Sequence, residues 1–142
     1  MMDLKLERQV IDKYLGVAYN HMGRNPQDGL DCWGLVKCVY TELGYEIWDP
    51  VIEYSKNFRA GENYLIENYH KEWIKVISPH SFDIVLFINY RESANHAGIV
   101  LSRFRFMHAC RAGVVINRLS DPKWRKRING FYRFKKIAEQ IC

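Results

Sequence analysis

The chain has 142 residues, 48% hydrophobic and 14% aromatic, which suits one buried core and makes residues 1–142 read as a single domain. No run approaches the roughly 18 apolar residues of a membrane-spanning helix, and the scattered Cys32, Cys38, Cys110 and Cys142 do not outline a disulfide framework. The net charge of +5 is uneven: residues 103–142 hold eleven Lys or Arg against Asp121 and Glu139, so the last third is the basic part. The opening, Met1-Met2-Asp3-Leu4-Lys5-Leu6-Glu7, lacks the apolar centre of a signal peptide, which predicts synthesis in a reducing cytoplasm without an export signal.

In chain order, Leu4, Val10, Ile11, Tyr14 and Leu15 recur with the helical period, and Gly16 marks the end of a first helix. From Tyr19 to Leu30 the chain is rich in Gly, Asn, Asp and Pro and reads as a loop. Cys32, Leu35, Val36, Val39, Tyr40 and Leu43 return to the helical period, with Asp31 as N-cap and Gly44 as stop, so a second helix begins on Cys32. Residues 45–61 look irregular, and residues 62–72 read as a weaker helix.

Beyond Pro79 the pattern turns to short β-branched and aromatic runs between turn residues. These are Ile84 to Ile88, His96 to Leu101, Phe104 to Ala109, Gly113 to Asn117 and Gly130 to Phe134. Helices first and strands second predict an α+β domain with an antiparallel sheet of about five strands.

Cys32 is the residue with chemistry to offer. The first turn of a helix favours a thiolate through unpaired N–H groups and the macrodipole, whereas Asp31 opposes a second anion, so a histidine partner is needed. Gly34, one turn in, implies that backbone or substrate approaches closely. Two histidines sit in adjacent predicted strands, His96 at the start of one and His108 near the end of the next. A hairpin turning at Ser102-Arg103 makes them cross-strand neighbours, equidistant from Ser102, so that one is the base and the other its orienter.

Two other readings use the same residues. His108 and Cys110 at alternate strand positions, with His96 and Cys32, could supply four Zn²⁺ ligands, but no CxxC pair accompanies them and no metal or other cofactor is expected. The run Lys123-Trp124-Arg125-Lys126-Arg127 could meet an acidic polymer, yet its lone aromatic speaks against a nucleic-acid stacking platform.

The ordered set of Tyr14 to Arg24, Gly29-Leu30-Asp31-Cys32-Trp33-Gly34-Leu35-Val36, Phe82 to Phe87, His96-Ala97-Gly98-Ile99 and Met107-His108-Ala109 resembles the NlpC-type papain-like cell-wall cysteine peptidases, in the branch encoded by tailed bacteriophages. The resemblance implies Cys32 as nucleophile, His96 as base and His108 as third polar member. It also places Tyr19, Asp31, Trp33 and Gly34 around the substrate and the oxyanion, with the Cys32 N–H as a donor. The implied reaction is cleavage of the peptidoglycan stem peptide, between γ-D-glutamate and a diamino acid, with no metal. The implied setting is a virion tail assembled from a host-cytoplasm product, acting on the cell wall beside other tail proteins. A non-enzymatic tail-assembly or tail-tip module keeping the same fold is the alternative. Ala18 stands where the family has proline, Phe82 where a glycine precedes the aspartate, and an extra segment separates Cys32 from His96.

Overall fold

The computed structural model describes residues 4–49, 72–88 and 94–141. Helix α1 spans Leu4–Tyr14 and buries Glu7, Val10 and Tyr14, one stripe at helical spacing. Gly16 follows at φ +86°, the left-handed conformation that ends a helix. The expected loop contains a small hairpin, β1 (Arg24–Asn25) and β2 (Gly29–Leu30). Helix α2 spans Cys32–Glu42, with Asp31 as its N-cap and Gly44 just beyond its end at φ +94°. The helix expected over residues 62–72 lies outside the described residues except for Glu72, which is in a turn.

The strands are β3 (Trp73–Val76), β4 (Ile84–Ile88), β5 (Ala94–Leu101), β6 (Arg105–Cys110), β7 (Gly113–Arg118) and β8 (Ile128–Phe134). Between the last two lies the short helix α3 (Pro122–Arg125), and α4 (Lys135–Ile141) follows β8. Strands β3 to β8 form one six-stranded sheet in the order β3-β8-β4-β5-β6-β7, antiparallel throughout. The architecture is the expected α+β, with β3 added as an edge strand. Four residues long and alternating only once between buried Trp73 and exposed neighbours, β3 offers too short a pattern to read from sequence.

One sheet face carries α2: Leu35, Val36, Val39 and Tyr40 pack on Ile84, Leu86, Ala97, Ile99 and Met107. The other face holds a smaller cluster of Val85, Phe87, Val100, Phe106, Leu119 and Trp124. Tyr40 ties the layers together by donating its hydroxyl to the carbonyl of Phe82. Phe82 sits at φ +71°, a left-handed backbone in which glycine is at ease and phenylalanine is strained. The residue before Asp83 thus keeps a glycine's conformation with a buried aromatic side chain.

The β5–β6 hairpin corrects the expected pairing. Ile99 faces Met107 and Leu101 faces Arg105, around a three-residue turn centred on Arg103. Arg103 and Phe104 take φ +60° and +54° to close it. Continuing this register sets Gly98, and not His96, opposite His108. The histidines are diagonal neighbours on one face, because moving the turn centre by one residue moves the pairing by two and so preserves the face.

Candidate active site

Cys32 opens α2 and is 8% exposed. Its sulfur is met by the backbone N–H groups of Ala97 and Trp33. The first contact follows from the sheet. Val100 exchanges hydrogen bonds with Phe82 and Asp83 on one side, so by alternation Ala97 turns its N–H the other way, toward β6. The β5–β6 ladder stops at Ile99 and Met107. Beyond that point the thiol takes the place of a ladder partner, beside the residue that follows His96.

His96 and His108 meet by Nε2 and Nδ1 at 2.9 Å. His108 is fully buried, and its Nε2 lies 2.7 Å from the Asn117 side-chain oxygen. Gly98 makes the diagonal contact possible: a Cβ there would stand 2.9 Å from Phe106 and crowd the space between the two rings' strands. Trp124 closes this face, its ring centroid 5.9 Å from His96 in a stacked arrangement and 4.7 Å from His108 edge-on. Arg127 lies over the indole at 5.0 Å.

The electrostatics favour neutral partners. Burial, followed by the nearby Asp31, pushes the Cys32 thiol up to about 12, against the pull of the two N–H groups and Arg24. Burial, then His108 and Arg127, pushes His96 down to about 3. Burial also lowers His108, with Lys123 and Arg127 adding to it and the Asn117 hydrogen bond opposing it. Both shifts favour the uncharged thiol and imidazole, desolvation acting against the helix-start field expected to hold a thiolate.

The neighbours named from sequence take different parts. Asp31 accepts from Gly34 N at 2.8 Å, Arg24 Nη1 at 2.7 Å and Met22 N at 3.1 Å. Both carboxylate oxygens are therefore engaged within the protein, and Asp31 holds α2 and the loop before it. Arg24 in turn grips Asp49 with two 2.9 Å bonds. Trp33 is buried, donates Nε1–H to the Trp48 carbonyl at 2.8 Å and meets Trp73 edge-on, so its indole packs in the core while its backbone N–H faces the Cys32 sulfur. A Cβ on Gly34 would come within 2.0 Å of the Gly23 carbonyl, so the close approach read from the sequence is the protein's own loop. Tyr19 is 38% exposed, and its hydroxyl is raised by partial burial, Cys32 and Asp31 while Arg111 lowers it. It is the member of this group left open to a ligand.

Asn117 and Trp124 were not legible as site residues. Asn117 shares a face with His108 because His108 pairs with Val115, two residues before it; an alternating count along the predicted strand was the available signal. Trp124 sits in the basic run read above as able to meet an acidic polymer, but the Asp121 cap and Pro122 start a helix that turns the indole inward. Among the described residues no group of three or more His, Cys, Asp or Glu stands where it could hold a metal ion, and the Cys110 thiol donates instead to the Gly113 carbonyl at 3.4 Å. A cleft of about 640 Å³ opens at the far end of β5, lined by Phe82, Asp83, Leu101, Phe104 and Arg133, away from the thiol. No helix among the described residues is long and apolar enough to cross a membrane.

Residues 16–133 match the family model described as NlpC/P60. The chain is 31% identical over 138 residues to a gamma-DL-glutamyl hydrolase of Bacillus subtilis, covering 92% of this chain and 29% of that protein. It is 27% identical over 132 residues to the murein DD-endopeptidase MepS/murein LD-carboxypeptidase of Escherichia coli, covering 89% and 62%. The chain therefore spans less than two thirds of the length of these curated relatives. Among solved structures, an NLP/P60 family protein of Staphylococcus aureus superposes with a TM-score of 0.67 at 23% identity, covering 94% of this chain and 42% of that one. A Bacillus cereus NlpC/P60 protein gives 0.67 at 20% identity, covering 91% and 39%. The thiol at a helix start, the paired histidines of β5 and β6, and the match across most of the chain agree: this protein belongs to the NlpC/P60 family of cysteine peptidases and hydrolases.

Proposed function

We propose that this chain is a peptidoglycan endopeptidase in which Cys32 is the nucleophile, His96 the base and His108 the orienter of that base. The observation that carries the reading is the Cys32 sulfur held at the start of α2 against the N–H of Ala97, whose neighbour in the chain, His96, is tied to a second histidine. As the carbonyl carbon of the stem-peptide amide is attacked, the thiol proton passes to His96 Nδ1 and the S–C bond forms. The oxyanion is met by the Cys32 N–H, with Tyr19 close enough to assist. His96 then gives its proton to the leaving nitrogen, the C–N bond breaks and a thioester remains. Water, deprotonated by His96, attacks the thioester and releases the acid, and the sulfur recovers its proton.

A neutral resting pair suits this sequence, since the proton need move only when a substrate arrives and excludes water. The bond proposed is that between γ-D-glutamate and a diamino acid. Support comes from the similarity to a relative named as a gamma-DL-glutamyl hydrolase. The proposed setting is a bacteriophage tail, with the basic last third docking other tail proteins or anionic wall polymer; its support is the resemblance to phage-encoded members and the charge of residues 103–142.

Mass spectrometry of muropeptides digested by wild type and Cys32→Ala tests the enzyme. The expected products carry a new γ-D-glutamyl carboxylate and a free diamino acid amine, and are absent with the variant. Undiminished hydrolysis by Cys32→Ala overturns the mechanism, and products cut at another stem-peptide bond overturn the substrate assignment. Absence of the protein from purified virions of its source would remove the tail setting.

A further inference from the structure

We infer that Asn117 is a positioning residue that sets the proton arrangement of both histidines, and thereby decides which nitrogen of His96 acts as base. The inference rests on the catalytic reading for its consequence but not for its geometry. His108 is fully buried, so no water can substitute for either ring partner. Its Nε2 has the Asn117 carbonyl oxygen at 2.7 Å, and an amide oxygen only accepts, so Nε2 carries the proton. A neutral imidazole has one N–H, which leaves His108 Nδ1 an acceptor. The atom 2.9 Å from that acceptor is His96 Nε2, which must therefore donate. His96 then keeps its proton on Nε2 and offers Nδ1, its remaining nitrogen, with a lone pair. Asn117 thus acts through two rings on an atom it does not touch.

The reverse arrangement disables the base. With His108 protonated on Nδ1, the shared contact would place the acceptor on His96 Nε2 and the proton on His96 Nδ1, where no thiol proton could be received. Without the Asn117 oxygen, little opposes that reversal, because the two arrangements make the same hydrogen bond between the rings. Trp124 and Phe106, with ring centroids 4.7 and 4.6 Å from His108, pack the ring and hinder a flip that could restore the pattern.

The experiment is ¹⁵N NMR of histidine-labelled protein near neutral pH, on wild type, Asn117→Leu and Asn117→Asp, with steady-state kinetics on a muropeptide substrate. Both His96 and His108 are expected as Nε2–H forms in wild type. Asn117→Leu should populate the Nδ1–H forms and lower kcat about tenfold with KM unchanged, a smaller loss than the roughly 10⁴-fold caused by a wrong tautomer at a directly attached orienter. Asn117→Asp, which keeps an acceptor of the same shape, should retain the wild-type tautomers. A His108 Nδ1–H form in wild type, or wild-type tautomers persisting in folded Asn117→Leu, overturns the inference. The spectrum judges Asn117 independently of catalysis, whereas full activity of Cys32→Ala would defeat the proposed function and leave the tautomer assignment standing.

Discussion

One face of the main sheet receives α2 and most of the buried apolar side chains, and the other holds a smaller aromatic cluster into which His96, His108 and Asn117 project beside Trp124. The first face is fastened by local devices: the Asp31 cap, the contact of Gly34 with Gly23, and the Arg24 ion pairs with Asp31 and Asp49. The second depends on register, since a diagonal contact between histidines needs Gly98 opposite and a turn centred on Arg103. The proposed nucleophile and base thus come from layers with different supports, linked where the β5–β6 ladder ends and the Cys32 sulfur meets the N–H of Ala97, the residue after His96.

That division can be broken from either side. The largest expected effect is on chemistry: Cys32→Ala should lower muropeptide hydrolysis by at least about 10⁴-fold while the far-ultraviolet circular dichroism is unchanged, because only the proposed nucleophile is lost. On the second face, Trp124→Ala removes the cover from both histidines. It should cost about 3–5 kcal/mol of stability in urea denaturation, as for other buried aromatics. The same change should bring the His96 titration up from about 3 toward the ordinary 6.5 in an NMR titration, since burial is the main cause of its depression. A small stability loss with an unmoved titration would show that Trp124 does not shield the pair.

The two glycines sharpen the contrast. Gly34→Ala places a methyl group 2.0 Å from a backbone carbonyl, and Gly98→Ala places one 2.9 Å from the Phe106 ring. Backbone cannot yield as a ring can, so Gly34→Ala should cost more in thermal denaturation, each falling within about 1–3 kcal/mol. Gly98→Ala should nevertheless lose more activity relative to its stability, because the displaced ring abuts His108. Equal losses in both measurements would erase the distinction between the faces.

The smallest and most graded effect is that of pH on stability. For His96, the unfolded chain binds the proton more readily, so its contribution is complete above about 6.5 and is lost as pH falls toward 3. For Cys32, the folded state holds the proton more tightly, so its contribution is complete below about 9 and is lost as pH rises toward 12. Denaturation midpoints should fall at both ends, and Cys32→Ala should flatten the alkaline limb alone.

Much of the first face was legible before any coordinates. Helical spacing, a capping aspartate and a terminal glycine are local signals, and they placed α1, α2 and the start of α2 on Cys32. The five strands after Pro79 were legible for the same reason, and so was the common face of His96 and His108, because side-chain alternation survives a misplaced turn. The direction of the Trp33 indole was not legible, since one residue along a helix turns the side chain by about 100° and only packing against Trp48 and Trp73 shows where it points.

From the chain alone came most of the elements, the start of α2 on Cys32 and the common face of His96 and His108, all of which follow from short-range periodicity and capping. Only the tertiary structure decided the diagonal register, the inward turn of Trp124 from a basic run, the engagement of Asp31 within the protein, and the place of Asn117 behind His108. Each of these depends on which strand lies beside which and how far it is shifted. That is set by packing between residues distant along the chain, and a single sequence carries no local mark of it.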